Sequence, residues 1–468
     1  MTVGTLAAIL DAAPDPMEVS VLPPVSRQVA VSISAPASLA PPLPPAPAEG
    51  AHHVAAHLAS PAVADAQRHR RRWPWVALVF VVAVAAVVVV QLRRPVPAVA
   101  MHRSLPAVTP VVGATPVLPW PATGEAAVAV PQLGVTVQSG AEAAVPIASL
   151  TKIMTAYLTL REHPLAPKAQ GPLLTMTAAD QADASADEAA GATNVAVQPG
   201  EKLTERQLLN GLLVHSANNL ADVLAKWDAG TIPAFVAKMN ATATALGMTH
   251  THYADASGLN PGTQGSAADE LIVTRAAMAI PTFAAVVDQR QVTLPGAGVL
   301  LNYVSSVGTQ GIVGVKSGFT QKAMGCLVLA AQRTVAGHRV LVLAAVTGQP
   351  GDNPLDAANG VDERLLDAVV AGIREVPVSA RGAAVGSVTL PWAQRPVPVV
   401  AAAPIALLAW PGQVPHLSFT SKPVYAGMSA GTQMGTLSAS IGAERLTVPV
   451  QVADSLVGPT LSWRLQRS

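Results

Sequence analysis

A single cysteine, Cys326, stands in 468 residues. No disulfide can close within the chain, and the cysteine-rich spacings of structural zinc sites cannot be built. The thiol lies in the apolar run Gly325-Cys326-Leu327-Val328-Leu329 with no basic residue beside it, which reads as a small buried hydrophobe rather than a nucleophile. Aromatic residues are also scarce, at 3% against 50% hydrophobic, so alanine and valine carry the apolar count and composition alone overstates the core. Charge is sparse and balanced, 29 basic against 28 acidic residues for a net +1, which gives no bias toward nucleic acid or acidic ligands. Long apolar runs are nearly absent: residues 75–92 form the only one.

That run, at about 1.5 Å per helical residue, crosses most of a hydrocarbon core about 30 Å thick. Arg68, Arg70, Arg71 and Arg72 precede it and Arg93 and Arg94 follow, an excess that orients the N-terminus toward the cytoplasm, with Trp73 and Trp75 as interfacial anchors. Ala98-Val99-Ala100 resembles a signal-peptidase site. The preceding region is far longer than a signal's basic head, however, and two arginines separate the run from that site, so the sequence favours an uncleaved anchor.

The remaining organisation follows from texture. Residues 1–72 form a Pro/Ala-rich tail expected to be disordered, 73–94 the transmembrane helix, and 95–122 a Pro-rich linker. From residue 123 to 376 the patterns change. Val135-Thr136-Val137 suggests a hairpin; Ile153, Met154, Tyr157 and Leu158 share a helix face. Thr204 and Gln207 make a capping box ahead of Leu208, Leu209, Leu212 and Leu213, and a stripe from Phe235 to Leu246 ends at Gly247. Strands are expected at 311–315, 327–331 and 339–346, then a helix through Leu365, Leu366, Val369 and Val370. Short Val-rich segments broken by Gly and Pro over 377–468 read as a small all-β domain.

Three motifs carry chemistry. In Ser149-Leu150-Thr151-Lys152 the lysine lies one helical turn from the serine, able to take its proton, provided that burial or a nearby cation lowers the lysine's pKa. Lys316 is the expected cation. Ser149 at a helix start also suits a developing oxyanion. Taken singly, such a pair is more often a capping serine and a solvated lysine. Ser216-Ala217-Asn218 sets a hydroxyl and a carboxamide two residues apart, elsewhere a common N-cap pair. Lys316-Ser317-Gly318-Phe319-Thr320 follows an apolar strand, where Gly318 permits close approach of a ligand to an open backbone edge.

In this order, with Ser216 and Lys316 lying 67 and 167 residues after Ser149, the motifs resemble the Ser-x-x-Lys, Ser-x-Asn and Lys-Thr/Ser-Gly signature of serine penicillin-binding proteins and β-lactamases. Residues 148–158, Pro199-Gly200-Glu201, Ser216-Ala217-Asn218-Asn219, 239–259 and 314–327 look like the low-molecular-weight D-alanyl-D-alanine carboxypeptidases, a resemblance spanning about residues 120–375. It implies an α/β catalytic domain, an antiparallel sheet with helices plus a mostly helical lobe. The implied chemistry is a Ser149 acyl-enzyme with Lys152 as base and Ser216 relaying a proton. Backbone N–H groups of Ser149 and Phe319 would form the oxyanion hole. Lys316, Ser317 and Thr320 would hold the terminal carboxylate, Asn218 a substrate amide, and Gly318 would line the substrate-binding site. The implied partners are peptidoglycan stem peptides ending in D-Ala-D-Ala, with β-lactams as covalent inhibitors and membrane lipid around the anchor. No metal or organic cofactor and no nucleic acid is expected.

Other readings compete. A crosslink-cleaving endopeptidase would use the same residues. A β-lactamase with a glutamate-held water would need Glu followed four residues later by Asn, but Glu270 is followed by Thr274. A non-catalytic wall-binding protein would not require serine and lysine together. A His215–Ser216 triad lacks the Gly-x-Ser-x-Gly elbow.

Overall fold

The computed structural model describes residues 66–140 and 142–467, with side chains from residue 73 onward. Nearly all of the expected disordered tail therefore lies outside the described residues. Its last residues do not: a continuous helix runs Ala66–Arg93, beginning before the expected boundary at 73. Within it, Trp73–Arg93 has a mean hydropathy of 2.8 and none of it is buried, making it long and apolar enough to cross a membrane.

Residues 123–376 contain a five-stranded antiparallel sheet whose order is Ile312–Thr320, Met324–Val335, His338–Gln349, Glu125–Val130, Val135–Gln138. Strand alternation divides its side chains between two cores. Ala127, Ala129, Val328, Ala330, Leu343 and Ala345 face a core shared with the helical lobe, whereas Ala126, Val128, Leu327, Leu329, Val342 and Ala344 pack on Leu365, Leu366 and Val369 of the helix Pro354–Gly372. In register, Lys316 lies opposite Val328 and Gly318 opposite Cys326, on an edge strand whose outer side has no strand partner among the described residues.

The helical lobe is built around Thr151–Glu162, which contributes Ile153, Met154 and Leu158 to the core. The capping box at Thr204 and Gln207 forms and starts the helix Glu205–Leu213; Gly247 ends Ile232–Leu246 with φ 82°. A helix Ala178–Ala189, capped by Thr177 and Asp180, has no counterpart in the sequence reading, because an Ala- and Asp-rich segment with little buried surface shows no apolar stripe.

The C-terminal β region corrects one expectation. Ala100–Arg103, placed in the linker, pairs with Ala384–Thr389 as the edge of a six-stranded sheet, and Val111 enters that region's core. Pairing satisfies both backbones at an edge that would otherwise be open.

Candidate active site

Ser149 sits in a single 3-10 turn, Ala148–Leu150, immediately ahead of Thr151–Glu162. Neither end of this junction spends the serine on capping: the helix has Leu150 at its N-cap and no side-chain cap bond. Nor is the lysine solvated. Lys152 is fully buried, and its Nζ donates to Ser149 Oγ at 2.8 Å, Asn218 Oδ1 at 2.6 Å and the Ser257 carbonyl at 2.7 Å. Three acceptors match the three protons of an ammonium, and the same contacts survive with one lone pair aimed at the serine after deprotonation. Burial pulls the Lys152 pKa down to about 7, although Asp255, Asp187 and Asp222 pull the other way.

Ser216 and Asn218 arrive from the next connection. The helix Asn218–Ala229 is capped by Ala217 without a side-chain bond, so neither polar side chain is consumed as a cap. Ser216 holds a left-handed backbone, φ 64°, and Ala148 does so at φ 48°. Both are rare for residues with a Cβ and cost on the order of 1–3 kcal/mol each, strain concentrated where the two motifs meet.

The third wall is the edge strand. A Cβ on Gly318 would lie 2.7 Å from the Ser149 backbone nitrogen, so glycine is what allows the strand to close on the Ser149 N–H. Ser317, Gly318, Phe319 and Thr320 line a cleft of about 590 Å³ together with Ser149, Ser216 and Asn218. Lys316 is buried behind it, its Nζ donating to the Ser317 carbonyl at 2.8 Å. Burial, and then the charge of Lys152, hold the Lys316 pKa well below the ordinary lysine value. The sequence left two causes open for a lowered Lys152 pKa, burial or the charge of Lys316. Burial is the chief cause at both lysines.

The sequence reading missed the loop beneath Lys152. Asp255 Oδ2 accepts from Ser257 Oγ and from the N–H groups of Gly258, Leu259 and Asn260, a turn that aims the Ser257 carbonyl at Lys152. Thr155, one turn beyond Lys152, donates to the adjacent Ala256 carbonyl at 2.7 Å. Gly258 has φ 85°, and a Cβ there would come within 1.9 Å of the Ala148 carbonyl. Asp-x-Ser-Gly is a legible turn signal, but nothing local indicates that its carbonyl meets a lysine 105 residues upstream. Walls from Ala190, Gly191, Ala192, Thr193, Leu259, Tyr303 and Leu355 were also not anticipated.

The remaining candidates fall elsewhere. His215 stacks on Tyr303 with ring centroids 5.2 Å apart, and no hydrogen bond joins its ring to Ser149 or Ser216 among the described residues. Glu270 is fully buried, pushed up to about 8 by desolvation, and does not line the cleft. Cys326 is buried with its thiol pushed up to about 12.

A serine hydroxyl bonded to a buried amine of lowered pKa, facing a strand edge through a glycine, is a constellation suited to acyl transfer through a serine ester, and the frame that carries it is that of the penicillin-binding peptidases. The penicillin-binding protein 5 of Haemophilus influenzae superposes with a TM-score of 0.50 at 18% identity, covering 76% of this chain and 99% of that one. A peptidoglycan synthesis regulatory factor (PBP3) of Streptococcus pneumoniae gives 0.53 at 22% identity, covering 72% and 99%. The chain belongs to the D-alanyl-D-alanine carboxypeptidase family, whose model matches residues 132–348. It is 37% identical over 210 residues to the carboxypeptidase DacB2 of Mycobacterium tuberculosis, covering 43% of this chain and 67% of that protein. Against the D-alanyl-D-alanine carboxypeptidase of Streptomyces sp. it is 32% identical over 230 residues, covering 44% and 75%.

Proposed function

We propose that this protein is a penicillin-sensitive serine D-Ala-D-Ala carboxypeptidase that trims the terminal D-alanine from peptidoglycan stem peptides. The observation that carries the reading is the 2.8 Å bond between Lys152 Nζ and Ser149 Oγ, with Lys152 poised near neutrality. Ser149 Oγ attacks the carbonyl carbon of the penultimate D-alanine while Lys152 takes the hydroxyl proton. The N–H groups of Ser149 and Phe319 receive the oxyanion. Ser216 passes the proton from Lys152 to the departing amine, the peptide C–N bond breaks, and terminal D-alanine leaves. Water, deprotonated by Lys152, then cleaves the Ser149 ester. Lys316, Ser317 and Thr320 hold the substrate's carboxylate, and the Asn218 amide N–H, left free because its oxygen is taken by Lys152, meets a substrate carbonyl. Incubation of the full chain with a D-Ala-D-Ala-terminated pentapeptide is expected to release one D-alanine, and a β-lactam to add its mass to the peptide containing Ser149. Adduct on any other serine would overturn the assignment.

Buried lysines make the pH dependence specific. Lys316→Met is expected to weaken substrate binding while leaving the rise of acylation rate centred near pH 7, because burial and not Lys316 sets the base. A rise displaced to higher pH would show that Lys316 tunes Lys152. The same variant should melt higher at pH 7. Folded Lys316 gives up its proton far below its unfolded value of 10.5, so the unfolded chain binds more protons in between. That costs the native state stability throughout the window, a cost that fades as pH rises toward 10.5.

Gly258→Ala is expected to lower D-alanine release on the order of 10²-fold, since the displaced Ser257 carbonyl releases Lys152 from its aim. Unchanged turnover would exclude this loop from positioning the base.

The domain partition proposed here assigns catalysis to residues 123–376 and a β-rich accessory unit to 377–468. Residues 73–94 serve as a single membrane anchor that leaves the N-terminus cytoplasmic and the peptidase on the wall side, in accord with the arginine excess before the span. A reporter fused after residue 122 should be accessible from outside the cell; a mature N-terminus near Met101 would mean cleavage instead.

A further inference from the structure

A second groove, of about 540 Å³, opens on the helical lobe between the loop 167–170, the helix Glu205–Leu213 and the strand Gln291–Leu294. Its lining is unusual in chemistry: Gln170, Gln207, Asn210, Gln289 and Gln291 contribute five carboxamides, and no carboxylate is present among the lining residues. The fold has already used one side of several of these amides. Gln207 Oε1 accepts from the Thr204 N–H, Gln170 Oε1 from Thr204 Oγ1, and Asn210 Oδ1 from Gln289 Nε2. Their oxygens are engaged in the fold, whereas no protein acceptor is assigned to the amino groups of Gln170, Gln207 and Asn210 among the described residues. The groove is therefore rich in neutral donors and calls for a ligand rich in neutral acceptors.

Charge narrows the class. Arg206 also lines the groove, but its guanidinium donates to the carbonyls of Ala166, Pro167 and Ala169, fixing the wall rather than offering itself to a ligand. That leaves Lys168, exposed at the rim, as the free cation of the lining among the described residues. A polyanion would find few charges to neutralise, whereas hydroxyl and acetamido oxygens match the carboxamide donors. The groove is also tied to the catalytic cleft through covalent and hydrogen-bonded neighbours. The helix bearing Gln207 and Asn210 leads directly into Ser216. Gln289 and Arg290 bond through their carbonyls to Asn302, next to Tyr303 of the cleft wall, whose N–H donates to Val214.

We propose that this carboxamide groove binds the N-acetylated amino-sugar backbone to which a stem peptide is attached. The inference rests on the carboxypeptidase reading and extends it from the peptide to its carrier. An extended peptide of four residues spans about 13 Å, the length by which a stem peptide separates its sugar from the scissile bond.

The probe is an N-acetylglucosamine tetramer, titrated by calorimetry into the full-length Ser149→Ala protein and into the same protein carrying Gln170→Ala and Gln291→Ala, two exposed positions outside the catalytic cleft. Binding is expected in the first and at least about five-fold weaker in the second, the equivalent of one net hydrogen bond of about 1 kcal/mol. With Ser149 intact, the double variant should lose a similar factor in kcat/KM on uncrosslinked, glycan-attached pentapeptide and none on the free pentapeptide. Equal binding by both proteins, binding of poly(glycerol phosphate) in preference to the sugar, or equal loss on both substrates would overturn the proposal. Absence of activity on either substrate would sink the carboxypeptidase reading, and the sugar titration would still decide the groove.

Discussion

Ser149→Ala is expected to abolish both covalent labelling by a fluorescent penicillin and release of D-alanine, with a melting temperature close to that of the parent protein. The reasoning separates chemistry from stability. Without Oγ no ester can form, so acylation falls to background rather than by a factor. Stability changes little because Lys152 Nζ keeps two of its three acceptors, Asn218 Oδ1 and the Ser257 carbonyl, and the lost hydroxyl lies at a half-buried position on the cleft rim. One such hydrogen bond contributes roughly 0.5–1.5 kcal/mol net. Labelling that persists would move the nucleophile to another serine, and a collapsed melting curve would mean that Ser149 holds the fold together.

Lys152→Arg is expected to cut acylation by about 10³-fold or more, while Lys316→Arg retains measurable acylation with weaker binding. Both substitutions keep a positive charge, so a purely electrostatic role would tolerate both. Only a base must shed its proton near pH 7, and a guanidinium does not. Lys152 is the lysine bonded to Ser149 Oγ; Lys316 instead donates to the Ser317 carbonyl. Acylation rates measured across pH 6–9 for the two variants decide between them. Retention of activity in Lys152→Arg would place the base elsewhere, and equal loss in both would mean that the compact shape of the amine at each position, rather than proton transfer at Lys152 alone, is what matters.

Much of this arrangement was legible beforehand because it is local. Ser149 and Lys152 share a helical turn, Ser216 and Asn218 share a connection, and Lys316, Ser317 and Gly318 share a strand, so their spacing follows from backbone geometry and side-chain chemistry alone. The capping box at Thr204, the Gly247 terminator and the hairpin turn at Ala336 and Gly337 are equally short-range. The apolar run needed only length and hydropathy, and the candidate span Trp73–Arg93 begins where the sequence placed it, although the helix itself starts at Ala66.

What the sequence could not decide is long-range. Which acceptors Lys152 finds depends on a helix, the connection at Asn218 and the Asp255 turn converging from 66 and 105 residues away. The strand Ala100–Arg103 acquires its identity only by pairing with Ala384–Thr389, since four residues of a Pro-rich stretch have no pattern of their own. The sequence leaves burial and a neighbouring charge both open as the cause of a lowered Lys152 pKa, and the fold selects burial, because desolvation is a property of everything packed around the amine. The sequence by itself determined which chemical groups are available and at what local spacing; the tertiary structure decided which of them meet, how deeply they are buried, and therefore which proton can move.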